Sequence, residues 1–280
     1  MVQIPYEVKM TELNLLWQHI FTWVSWAIVL VMLVVAWRMG KRYNTWFHLF
    51  AILAAGIGAF IEPLYDVAFA LWFYDIHNGE PGAMFSHFTA FDIVQPNWTH
   101  SGYIILYATA CFYAGRMMYE GRLQPKFLYL IWLAEIVTSC VFEVIGTGVG
   151  VYTYYGPYVL RIWNYPLVIG VLEGTQVVLF TLVAVAFWRR VSSPLGLAGL
   201  LVIFPITMMG ANCGLGAPII VALHLSEETF SQGMVWAGTL LSMALCYIAV
   251  YGATKFLPTS PPAEDTKLQA DQHSPELKAA

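Results

Sequence analysis

The chain is 280 residues long, 59% hydrophobic, 16% aromatic and only 11% charged, with a formal net charge of -4 and a mean hydropathy of +0.65. A soluble domain has about a quarter of its residues charged, so this composition excludes an ordinary globular protein and predicts an all-α integral membrane protein. No basic stripe suggests nucleic acid, and the four cysteines (Cys111, Cys140, Cys213 and Cys246) sit in apolar runs without CxxC spacing, which implies neither a disulfide framework nor a zinc site.

Residues 1–14 form a short, mildly polar N-terminus with no basic stretch ahead of a short apolar core, so no removed signal peptide is expected. Seven apolar stretches follow, at about 15–37, 46–74, 98–119, 127–147, 163–188, 195–224 and 230–252. Each has the roughly 20 residues needed to cross about 30 Å of hydrocarbon. The expectation is a seven-transmembrane-helix bundle over residues 15–255 with no internal repeat. The tail, 256–280, is rich in Pro, Ala and charge from Leu257 onward and is expected to be disordered and cytoplasmic.

Short loops orient the bundle. Arg38, Lys41 and Arg42, then Arg116, Arg122 and Lys126, then Arg189 and Arg190 fall on one side; His77, Glu80 and Asp92, then Arg161, then Glu227 and Glu228 fall on the other. Lys and Arg collect on the cytoplasmic face, which puts the N-terminus outside and the C-terminus inside. Trp37, Trp46 and Trp188 are expected at the inner interface, and Trp17, Trp98 and Trp163 at the outer one. The second loop, about 75–97, is the longest and reads as a solvated connection, with a lid over the outer mouth as the alternative. The expected location is a membrane crossed several times: the cell membrane of a bacterium, or the endoplasmic reticulum of a eukaryote.

The informative residues are the acids inside these spans. A carboxyl at membrane depth costs about 3 kcal/mol on insertion scales and marks a functional site by default. Glu62 and Asp66 lie in the second span, Glu135 and Glu143 in the fourth, Glu173 in the fifth and Asn212 in the sixth, while His100 opens the third. Counting at about 1.5 Å per residue puts Glu173 and Glu135 near the midplane and the others middle to outer. Glu62 and Asp66 are four apart on one helix face, Glu135, Ser139 and Glu143 form a stripe, and Glu173 shares a face with Gln176 beside Gly170 and Gly174. Those glycines permit close approach of a neighbouring helix. Pro63 predicts a kink that frees a carbonyl near Ala59. Pro205, Gly210, Gly214, Gly216 and Pro218 interrupt the sixth span around Asn212. Irregular backbone at that depth survives only where protein or a cavity covers it.

Each group also has a plain reading: a protonated carboxyl bonding a neighbouring helix, a histidine packed at the interface, or Tyr103, Tyr107, Trp23, Trp26, Trp132 and Trp236 serving as packing. Taken together, the acids predict one shared cavity. A carboxyl removed from water favours its neutral, proton-donating form, and a neutral acid beside an ionised one makes a donor–acceptor pair. Aromatic faces stabilise a positive charge developing on a hydrocarbon. Glu62, Glu143 and Glu173 are the candidate catalytic residues, with Asp66, Asn212, Gln176, Glu135 and His100 orienting the substrate. Proton-initiated cyclisation, hydration or isomerisation of a hydrophobic small molecule entering from the membrane lipids needs no metal and no cofactor.

The seven-span layout, the Glu62-Pro63-Leu64-Tyr65-Asp66 segment and the Gly150-to-Pro157 turn, Gly-Val-Tyr-Thr-Tyr-Tyr-Gly-Pro, resemble the AveC-type spiroketal cyclases of actinobacteria. They are more distantly similar to the fungal membrane-bound meroterpenoid cyclases. The resemblance spans about residues 50–190 and implies acid–base cyclisation of a polyketide or isoprenoid, with Glu62 and Asp66 as the acids carried over. The fungal enzymes pair the early acid with a late one, and the seventh span here has none, so Glu143 or Glu173 must take that part. Two other classes compete. A proton-coupled transporter, or a lipid-binding protein without catalysis, would use the same acids and the broken sixth span. A retinal protein needs a lysine midway down the seventh span, and Lys255 stands at its end.

Overall fold

A computed structural model describes residues 4–191 and 193–262. Six of its helices are long and apolar enough to cross a membrane: Leu15–Tyr43, Phe47–Ala68, Pro125–Gly148, Leu167–Trp188, Pro194–Leu215 and Gln232–Thr254. The protein is an integral membrane protein of several spans. After a short α1 (Tyr6–Lys9), α2 (Leu15–Tyr43) starts from an Asn14 cap that accepts from the Trp17 N–H. The second span is α3 (Phe47–Gly58), a tight 3-10 turn at Ala59–Ile61 and α4 (Glu62–Ala68). Pro63, which has no N–H to donate, stands in the first turn of α4, so the expected kink resolves as that 3-10 step. The span stops at Ala68, earlier than the expected 74, because Leu71–Phe73 forms a strand, β1.

Strands β2 (Ile76–His77), β3 (Glu80–Pro81), β4 (Ser86–Ala90) and β5 (Ile93–Pro96) complete this connection. The 75–97 connection is structured, with much of its length still exposed. The segment folds into hairpins and is anchored from both sides, with the Leu13 N–H donating to the Ile76 carbonyl at 2.7 Å and Gln18 reaching the Ala83 carbonyl at 3.3 Å.

Next come α5 (Trp98–Tyr113), α6 (Gly115–Tyr119) and α7 (Pro125–Gly148). At 16 residues α5 falls short of a crossing by itself. Strands β6 (Tyr152–Tyr154), β7 (Arg161–Ile162) and β8 (Tyr165–Pro166) lead into α8 (Leu167–Trp188). The broken span has a 3-10 turn at Pro194–Gly199, α9 (Leu200–Met208), a π-helical turn at Met209–Leu215 and α10 (Ala217–Leu223); α11 (Gln232–Thr254) ends the bundle.

The central helix is α8: 89% of its most apolar window is buried inside the protein, against 28% for α2 and α7, and it packs on α5, α7, α9 and α11. The α7–α8 contact is as close as the glycines allow. A Cβ on Gly174 would stand 2.7 Å from Ile136 Cγ1, and one on Gly170 2.7 Å from Cys140 Sγ. Two tryptophans depart from the expected belts: Trp98 is buried among Phe21, Phe73 and Phe142, and Trp188 is buried and stacked on Phe47 at 4.3 Å. At the start of the tail Leu257 is buried and the Ser260 carbonyl accepts from Arg189 Nη2 at 2.9 Å. Residues 263–280, the rest of the segment expected to be disordered, lie outside the described residues.

Candidate functional site: a carboxyl-lined cavity

Inside the bundle is a cavity of about 330 Å³ bounded by α4, α5, α7, α8, β1 and β6. Glu62, Glu135, Glu143 and Glu173 all line it. Each comes from the helix face expected of it, Glu135 and Glu143 one above the other on α7, and Glu173 on the central helix. The four are buried, at 4–8% exposure, so none faces lipid.

Every one of these carboxyls accepts a hydrogen bond from a tyrosine on another element. Tyr103 of α5 donates to Glu62 Oε2, and Tyr113 of α5 to Glu135 Oε1. Tyr154 of β6 donates to Glu143 Oε2 at 3.1 Å. Glu173 takes three hydroxyls: Tyr65 of α4 on Oε1 at 3.1 Å, Tyr165 of β8 on Oε2 at 3.3 Å and Ser139 of α7, also on Oε2. A buried carboxyl left without partners would cost several kcal/mol, and this tyrosine set offsets that cost. Trp98, Tyr107, Phe142 and Leu106 supply the apolar remainder of the wall. Among the described residues no three His, Cys, Asp or Glu side chains cluster as metal ligands would.

One end of the cavity is closed by a two-stranded sheet that joins the second and fourth connections. In the antiparallel register Leu71 faces Tyr154, Trp72 faces Thr153 and Phe73 faces Tyr152. Side chains alternate along a strand, so Leu71, Phe73, Tyr152 and Tyr154 face the cavity. Tyr155 N–H to the Ala70 carbonyl at 2.9 Å and Tyr74 N–H to the Val151 carbonyl at 3.1 Å extend the pairing at both ends. Arg161 braces the turn by donating to the carbonyls of Tyr154 at 3.0 Å and Gly156 at 2.6 Å.

The other expected orienting residues lie outside this lining. Asp66 is fully buried one turn beyond Glu62, where Gln95 of β5 donates to Oδ2 at 2.7 Å, so it anchors the connection. Gln176 donates to Thr207 Oγ1 at 3.3 Å and ties α8 to α9. Asn212 sits in the π-turn as the glycine pattern suggests, but its amide donates to the Met208 carbonyl at 3.2 Å and it does not reach the cavity. His100 lies on the outer surface of the same region. A carbonyl can only accept, so His100 Nδ1 donates to the Gly56 oxygen at 2.6 Å, and Nε2 accepts from His87 Nε2 at 2.8 Å.

Sequence reasoning missed the tyrosines. Tyr103 and Tyr107 had the plain reading of packing, and both line the cavity, whereas Trp23, Trp26, Trp132 and Trp236 do not. The available signal was spacing: Tyr103, Tyr107 and the nearby Leu106 share one face of α5 at helical intervals. Comparison with protein-family models, curated proteins and solved structures yields no match for this chain.

Proposed function

We propose that the protein is a membrane-embedded cyclase or isomerase that moves protons on a lipophilic polyketide or isoprenoid, within a seven-crossing bundle whose N-terminus is outside and C-terminus cytoplasmic. The observation that carries this reading is the cavity in which four carboxyls meet, each held by a tyrosine, against an aromatic wall. Glu62 has one hydroxyl donor and adjoins the apolar space, which suits the acid. Three hydroxyls converge on Glu173, an arrangement suited to the carboxylate that receives a proton.

In that scheme the Glu62 O–H protonates an alkene carbon or a carbonyl oxygen. The cation is stabilised by the faces of Tyr107, Trp98 and Phe142. The new C–C or C–O bond forms at the cationic carbon, and the surplus proton passes to Glu173, with Glu143 the alternative acceptor. Product and substrate are isomers, so no oxidant or reductant is consumed. The likeness to AveC-type and meroterpenoid cyclases fits Glu62 as the early acid, and Glu173, bonded to Tyr65 of the Glu62 helix, is the candidate for the missing late one. A carrier would be expected to use the broken span, and that span does not line the cavity.

Glu62→Gln keeps the side chain's shape and removes its proton. The compounds that copurify with this variant, resolved by chromatography and mass spectrometry, should include an isomer of what copurifies with the wild type, at equal expression. Identical copurifying compounds would remove Glu62 from the chemistry.

A further inference from the structure

The cavity is sealed by the β1–β6 sheet at one end, and its exposed rim lies at the seam between α5 and α7. Tyr113 is 46% exposed, and Ala134 and Thr138 are exposed, yet all three also line the interior. Outside this seam lies a shallow groove of about 270 Å³, to which Met117, Leu123, Phe127 and Ile131 contribute. Tyr113 and Ala134 belong to both spaces. The two spaces meet at these residues and are separated there by the Tyr113 side chain, which is held by its hydrogen bond to Glu135. Among the described residues no charged side chain lines the groove, and no Lys, Arg or His lines the cavity, which instead presents four carboxyls.

We propose that the α5–α7 seam is a lateral entrance from the bilayer, and that it admits an uncharged, chain-bearing lipid with its polar end in the cavity and its tail in the groove. The proposal rests on the cavity being the working site and adds the substrate's charge and its direction of approach. A diphosphate, phosphate or carboxylate head would be stripped of water among acidic groups with no countercharge, a desolvation cost nothing in the lining repays. A hydroxyl or carbonyl head meets donors and acceptors on every side. The Tyr113 side chain must swing for admission, and it stands at the last residue of α5, where the helix is interrupted before α6.

The test is photolabelling of the full-length protein in phosphatidylcholine vesicles, with the site of attachment mapped by mass spectrometry. One probe is a long-chain alcohol carrying a diazirine at its methyl end; the second is the same molecule phosphorylated. The alcohol should label Met117, Phe127 and Ile131, and the phosphate should label them about tenfold less, a discrimination of about 1.4 kcal/mol. Ala134→Trp should reduce the alcohol's labelling to a similar extent relative to Leu133→Trp, whose site is 56% exposed on the same helix and lines neither space. Attachment is read without turnover, so the outcome is independent of whether the acid–base reading holds. Equal labelling by the two probes, which needs only the wild type, would overturn the charge selection. Groove labelling indifferent to Ala134→Trp, or absent altogether, would overturn the entrance.

Discussion

At the scale of single residues, the tyrosine hydroxyls are what make the buried acids tolerable. Tyr103 is the donor to Glu62, whereas Tyr107, on the same wall one turn on, packs T-shaped against Phe204 and its hydroxyl makes no hydrogen bond among the described residues. Removing one partner of a buried pair costs roughly 1–3 kcal/mol, and removing an unbonded hydroxyl costs little. Tyr103→Phe should therefore lower the thermal midpoint in detergent by several degrees, and Tyr107→Phe should leave it nearly unchanged; equal effects would mean the hydroxyl of Tyr103 is not what holds Glu62. A second residue-scale prediction concerns His87, outside the spans. Partial burial, and then the neighbouring His100, push its pKa below the ordinary 6.5. The unfolded chain thus binds a proton more readily than the folded one. The stability contributed by the His87–His100 contact is present above about pH 6.5 and lost as pH falls through the lowered value. The NMR midpoint of His87 should lie below 6.5, and His100→Ala should move it upward without fully restoring it, because the burial remains.

At the scale of elements, the helices were legible and the cover was not. Apolar runs of 20 or more residues announce themselves in any hydropathy count, and both the Pro63 kink and the glycine-rich break in the sixth span were read from residues that cannot be regular helix. The β1–β6 pair has three residues per strand, Leu-Trp-Phe and Tyr-Thr-Tyr, far apart in the chain. Alternation needs four to eight residues to register as a pattern, so only the tyrosine-rich turn drew notice. That cover sits on α7 through Gly146, where an added Cβ would stand 2.3 Å from the Tyr152 hydroxyl oxygen and 2.4 Å from ring carbon Cε1. Alanine in place of a helical glycine normally gains about 1 kcal/mol, and overpacking a core costs roughly 1–3 kcal/mol. Tyr152 is held by its strand pairing with Phe73 and by ring contacts to Phe73 and Trp98, which relief of the clash would disturb, so the penalty wins. Gly146→Ala should lower stability and expose β1 and β6 to faster hydrogen exchange. Gly252→Ala on α11, where nothing lies within 4 Å, should raise stability by about 1 kcal/mol; if both substitutions stabilised, the close contact under the cover would be refuted.

For the molecule as a whole, the open quantity is the number of crossings, and it turns on the third stretch. Six helices are sufficient by themselves. With 16 residues, α5 rises about 24 Å, short of the roughly 30 Å hydrocarbon layer. Its backbone bonding nevertheless continues through Ala114, whose N–H reaches the Ala110 carbonyl at 2.9 Å and whose carbonyl accepts from Met118 at 2.9 Å. Trp98 to Tyr119 is then an almost unbroken rod of about 33 Å, enough to cross. It packs against α2, α3 and α8. The interruption at Ala114 is no accident of sequence on this reading, since it falls beside Tyr113, where the seam has to yield. Seven crossings put Glu80 and Gln124 on opposite sides, whereas six would put them on the same side. Single cysteines at Glu80, Glu227, Lys41 and Gln124, all exposed, settle the count with a membrane-impermeant maleimide on sealed cells. The native cysteines are buried or half-buried and contribute little background. Glu80→Cys and Glu227→Cys should label from outside, and Lys41→Cys and Gln124→Cys only after permeabilisation. Gln124→Cys labelling together with Glu80→Cys would reduce α5 to a re-entrant element, and the inside–outside assignment of everything after it would reverse.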